Sequence, residues 1–138
     1  MSDANKAVLR RLIEEAFGKG NLAAVDQLVA DTFVEHAPPP GIPANKAGVK
    51  QTVEMFRSAF PDMTIAIEDV IAEGDKVAVR LVSRGTHKGP LMGIAPTGRT
   101  VNIREQHWVR IANGQIVEHW GIEDSLGMMQ QLGVVPSA

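Results

Sequence analysis

Glu105-Gln106-His107-Trp108-Val109-Arg110-Ile111-Ala112-Asn113-Gly114-Gln115-Ile116-Val117-Glu118-His119-Trp120 is the stretch whose reading decides the fold. Two runs carrying β-branched residues flank an Asn-Gly, the strongest short-range hairpin signal in a sequence. Each strand also carries titratable side chains and a tryptophan. Glu105 and His107 lie on the first strand, Glu118 and His119 on the second. A long hairpin with such groups beside large aromatics predicts the wall of a pocket.

The register decides which side chains share a face, because a slip of one residue turns a strand over. With Asn113-Gly114 as a two-residue turn, Ala112 pairs with Gln115 and His107 sits opposite Trp120. With Ala112-Asn113-Gly114 as a three-residue loop, Ile111 pairs with Gln115. His107 then faces His119, and Glu105 faces Gly121.

Before the hairpin the chain reads as helices and then strands. Residues 6–17 predict a helix, with Leu9, Leu12, Ile13, Ala16 and Phe17 on one face. Asn21 caps a short helix through about Val29. Thr32 to His36 is a brief strand, and Pro38, Pro39, Pro40 and Pro43 make the next segment a stiff loop. Asn45 caps a third helix to about Phe60, with Val49, Val53, Phe56 and Phe60 as its stripe. Strands follow at Met63–Ala72 and Lys76–Gly85. An apolar loop, Gly89 to Gly98, carries Met92. After the hairpin, Asp124 or Ser125 caps a last short helix that Gly133 ends. Helices first and antiparallel strands after give an α+β pattern. A curved sheet wrapped around the first helix would leave a cone-shaped cavity.

The 138 residues fit one domain, 1–138, with 44% apolar residues, 22% charged residues and a net charge of -2. A slightly acidic chain with no basic run is a poor nucleic-acid binder. Without cysteine there is no disulfide, thiolate nucleophile or cysteine metal site. No segment is apolar enough to cross a membrane, and the cytoplasm is the expected location. No HxH, HxxxH or HExxH spacing occurs, so no metal is expected.

The candidate chemistry lies with four side chains. His107 is a mid-strand imidazole able to act as a general base near neutral pH, or a buried one bonded to a neighbour. His119 has the same two readings. Glu105 shares the face of His107 and either orients the imidazole, acts itself, or pairs with an arginine of a neighbouring strand. Asp124 reads as a helix cap and, second, as an acid at the pocket rim. The candidate binding set is His36, Phe56, Met92, Trp108, Trp120 and Gly121. His87, beside Lys88, reads as surface.

These residues resemble the SnoaL-like family of polyketide and ester cyclases, whose cone-shaped α+β fold is shared with nuclear transport factor 2. The resemblance rests on Leu12–Phe17, Phe33–His36, Phe60-Pro61-Asp62, and above all Gly89-Pro90-Leu91-Met92-Gly93-Ile94-Ala95-Pro96-Thr97-Gly98-Arg99. Arg110 to Trp120 and Leu126 to Gly133 extend it. It implies a cofactor-free intramolecular aldol closure of a polyketide ester. A strand histidine and an aspartate on the partner strand face the cavity in such enzymes. His107 matches the histidine; Gly121 stands at the aspartate position. The need for 107 and 121 on one face favours the three-residue loop and makes Glu105 with His107 the replacement pair. The resemblance also implies a homodimer over the open sheet face. The alternative is a non-catalytic module binding a small hydrophobic molecule. A ketosteroid-isomerase-like site needs a tyrosine, and the chain has none.

Overall fold

In the computed structural model, which describes residues 2–136, four α-helices pack with a five-stranded sheet. Helix α1 (Ser2–Leu12) runs on into one π-helical turn, Ile13–Phe17. Its widened end places Ile13 and Phe17 on the wall of an internal cavity. The Asn21 side chain accepts from the Ala23 N–H to start α2 (Leu22–Leu28). Val29, expected at the end of that helix, instead begins strand β1 (Val29–Glu35). Asn45 caps α3 (Lys46–Ala59) as expected, accepting from the Gly48 N–H.

Strands β2 (Thr64–Glu73), β3 (Lys76–Thr86), β4 (Thr100–Ala112) and β5 (Gln115–Glu123) form an antiparallel meander. The sheet order is β1-β5-β4-β3-β2, and β1 joins β5 in parallel, a pairing the helical reading of Val29 obscured. Bulges curve the sheet: Glu68 is the extra residue of β2, and Val117 that of β5. The first crowds two carboxylates around a cation on the outer face, where Arg80 holds Glu68 and Asp69 at 2.8 Å each.

Two apolar clusters divide the interior. One joins α1, α2 and α3 to the concave face through Leu9, Leu12, Val25, Val53, Val79 and Val109. The other gathers Phe60, Leu91, Val101, Ile103, Met128 and Leu132 beneath α4 (Ser125–Leu132). The 89–98 loop belongs to the second cluster. Leu91 is fully buried and bonds Ile94 across a tight turn in which Met92 and Gly93 both take positive φ. His87, read as surface, is fully buried there. Its Nδ1 accepts from the Thr97 N–H at 3.2 Å, and its ring lies 5.6 Å from that of Phe60. The β3–β4 ladder continues past Thr86, with His87 and Arg99 paired, and carries the imidazole inward.

The hairpin register is neither of the two expected. Asn113 and Gly114, both at positive φ, form a two-residue turn, and Ala112 pairs with Gln115. The Val117 bulge then shifts the ladder by one, so that His107 sits opposite Gly121, Val109 opposite His119, and Glu105 opposite Glu123. The requirement that 107 and 121 share a face is met, but by a bulge and not by a three-residue loop.

Candidate active site

Between the sheet and the helices lies a cavity of about 480 Å³, inside the range of small-molecule sites. Leu9, Phe33, Phe56, Ile65, Leu81 and Val109 form its apolar wall, and Pro38, Pro39 and Pro40 edge it. Its polar floor comes from β1, β3, β4 and β5 as Glu35, Ser83, Glu105, His107, His119 and Glu123.

Strand parity explains this set. In β4 the residues alternate, so Glu105, His107 and Val109 face inward and Gln106, Trp108 and Arg110 outward. Beyond the bulge, β5 turns His119, Gly121 and Glu123 inward in step with them. In β1 Glu35 pairs with His119 and shares its face.

The polar side chains form one hydrogen-bonded chain. Glu35 Oε2 meets His119 Nδ1 at 2.5 Å. His119 Nε2 meets His107 Nδ1 at 2.8 Å. His107 Nε2 meets Glu105 Oε1 at 2.8 Å, and the Ser83 hydroxyl donates to Glu105 Oε2 at 2.5 Å. The Ala37 N–H also donates to Glu35 Oε2, at 3.1 Å, fixing that end. Gly121 makes the central contact possible. A Cβ at 121 would lie 2.7 Å from His107 Nδ1 and 2.9 Å from His119 Nε2. The imidazole of His119 therefore occupies the room that a larger side chain at 121 would take. Glu123 stands apart from the chain. Burial, reinforced by the charge of Glu105, pushes its carboxyl above the usual carboxylate range, against the opposing pull of His107.

The structure brings Glu105, His107, His119, Gly121 and Phe56 to the cavity. It does not bring the other expected residues. Asp124 caps α4, accepting from the Gly127 N–H at 2.9 Å, and lies 3.7 Å from Arg104. Met92 sits in the tight turn of the 89–98 loop, away from the cavity. His36, next to inward Glu35, faces out and stacks on Trp120 at 4.7 Å. His36 Nε2 meets Glu118 at 2.9 Å, and Arg110 Nε donates to the other oxygen of that carboxylate at 2.7 Å. These contacts, His36 first and Arg110 second, hold Glu118 below its ordinary range. Trp108 lies on the same outer face, opposite Trp120. Neither tryptophan can share the cavity with its neighbour His107 or His119, because adjacent strand residues point to opposite faces.

Sequence reasoning missed Glu35, Ser83 and Glu123. The parity signal was present for two of them, since Glu123 follows Gly121 by two and Glu35 immediately precedes outward His36. Ser83 needed the β3–β4 register, in which it pairs beside Arg104 and Glu105 with Ile103.

The family model for SnoaL-like polyketide cyclases matches residues 7–132. A nogalonic acid methyl ester cyclase of Streptomyces nogalater is 32% identical over 120 residues, covering 86% of this chain and 90% of that protein. The aklanonic acid methyl ester cyclase DauD of Streptomyces sp. (strain C5) is 29% identical over 133 residues, covering 91% and 80%. The crystal structure of wild-type IdmH from Streptomyces antibioticus superposes with a TM-score of 0.81 at 37% identity, over 94% of this chain and 98% of that one. Sequence and fold agree: the chain belongs to the SnoaL-like polyketide cyclase family.

Proposed function

We propose that this protein is a cofactor-independent cyclase that closes a ring of a polyketide ester by intramolecular aldol chemistry, with the Glu35–His119–His107–Glu105 chain as its base. The carrying observation is the count of protons in that chain. Its three contacts, carboxylate to imidazole, imidazole to imidazole and imidazole to carboxylate, need three protons. Two neutral imidazoles supply two. One contact is then lone pair against lone pair, and a single added proton completes the set. An acidic C–H of a bound β-keto ester is a source for that proton, and Glu105 with His107 is the end nearest Ser83. The apolar wall holds the chain of the substrate folded for closure.

A purely ligand-binding protein would have every polar group of the cavity bonded to another. Glu123 has no such partner among the described residues, which favours the enzyme. The test is proton exchange in deuterated water with nogalonic acid methyl ester, aklanonic acid methyl ester and simpler β-keto esters, followed by NMR. Loss of the acidic C–H signal faster than in buffer is the expected result. No exchange with any of them overturns the base.

Gly121→Ala provides a narrower check. The new Cβ forces the two imidazoles apart, and the loss of the hydrogen bond between them predicts turnover reduced on the order of tenfold. Circular dichroism should show the fold unchanged.

A second copy of the chain is proposed to cover the outer sheet face. Trp108 is 52% exposed, Ile71 66% and Ile122 79%, and the ladder places all three on that face. Trp108→Glu is expected to convert a dimer to a monomer in sedimentation equilibrium; an unchanged mass would refute this placement.

A further inference from the structure

Glu123 ends β5 on the cavity face, directly across the ladder from Glu105. Side chains so placed have Cβ atoms about 4.5–5.5 Å apart. Placed so, the charge of Glu105 and burial in the cavity both raise the proton affinity of Glu123. Of the two carboxyls, the one with donors keeps the charge. Glu105 receives the Ser83 hydroxyl and faces His107 Nε2. Glu123 receives no hydrogen bond among the described residues. Glu123 therefore holds a proton more tightly than an ordinary carboxylate, and among the described residues both its oxygens are free for a substrate. Asp124, its neighbour, is spent on the helix cap.

We infer that Glu123 is the general acid of the ring closure, giving its proton to the carbonyl oxygen that becomes the alcohol. The inference rests on the cyclase reading above and adds a residue to it. The steps balance. The hydrogen-bonded chain takes the proton of the donor carbon, leaving an enolate. The enolate carbon forms a bond to the acceptor carbonyl carbon, and the carbonyl π pair moves to oxygen. That oxygen takes the proton of Glu123, leaving a carboxylate. The proton gained by the chain is then released to water, and Glu123 takes a proton back from water, which restores the starting state. Burial and the Glu105 charge hold Glu123 above the ordinary carboxylate range, the direction a general acid requires.

The experiment compares wild type, Glu123→Gln, Glu123→Asp and Glu105→Gln on nogalonic acid methyl ester in deuterated water, reading C–H exchange and ring closure separately. Glu123→Gln is expected to keep exchange within about twofold and lose ring closure about 100-fold or more. Glu123→Asp should recover part of that loss. Glu105→Gln should lose both. Ring closure by the wild type should fall at alkaline pH, and the residual rate of Glu123→Gln should lack that limb.

Melting supplies a readout that needs no substrate. A carboxyl whose pKa is raised on folding holds a proton that the unfolded chain releases. Wild-type stability is therefore lost as pH rises from the ordinary carboxylate pKa through the raised one. Glu123→Gln lacks this loss, so its melting temperature relative to wild type should climb with pH over that window. Ring closure by Glu123→Gln at the wild-type rate, or a melting difference flat with pH, overturns the assignment and leaves the base in place. A wild type that neither exchanges nor cyclises overturns the cyclase reading itself.

Discussion

Glu105→Gln is expected to slow turnover by about 10²–10⁴-fold, the usual worth of a general base, while leaving the fold intact. The reason lies in the proton count. Glu105 offers only acceptors, to His107 Nε2 at 2.8 Å and to the Ser83 hydroxyl at 2.5 Å. A glutamine at 105 fits the same space but can turn its NH₂ toward His107 and donate. His107 then holds its proton on Nδ1 and donates to His119, which donates to Glu35. All three contacts are satisfied by two neutral imidazoles, and the appetite for a third proton is gone. The substitution thus removes the base by completing the network, not by breaking it. Initial rates across pH measure this directly. A variant within threefold of wild type at every pH would remove Glu105 from the mechanism.

Phe60→Ala is expected to cost about 3–5 kcal/mol of stability. Phe60 is 1% exposed and closes α3 over the second apolar cluster. Its Cβ presses so closely on Gly85 that a Cβ there would lie 2.8 Å away. The far side of the ring meets buried His87. Gly85 has no side chain to fill the space, and His87 is held by Thr97. Much of a domain's net stability, 5–15 kcal/mol in ordinary cases, would be lost. Urea unfolding should show a lower midpoint with an unchanged slope. The damage reaches the site, since Ile103 of the same cluster sits two residues before Glu105 on β4.

Most of the architecture was legible because its signals are local. Asn21 and Asn45 cap helices where their side chains predict, and Asn113-Gly114 turns the hairpin. The site was half legible. Glu105, His107 and Gly121 converge as expected, while the tryptophans and His36 do not. Period-two alternation alone excludes Trp108 from the cavity once His107 is in it. Trp120 was harder, because its face depends on a bulge at Val117 that no turn residue announces. Val29 shows a different limit: its side chain suits a helix end and a strand start equally, and the parallel partner that decides lies in β5. His87 was misplaced because a charged neighbour, Lys88, is a weaker guide than the long-range pairing that buries it.

The stack of His36 on Trp120 has an optical consequence. The chain has two tryptophans and no tyrosine, and both indoles stand on the face turned away from the cavity. Neither indole therefore touches what fills the pocket. Their emission is a direct reporter of the outer surface. Trp108 will shift to the blue when something covers it, and Trp120 will change when the imidazole stacked on it is displaced. One spectrum thus separates events on the outside of the sheet from chemistry on the inside.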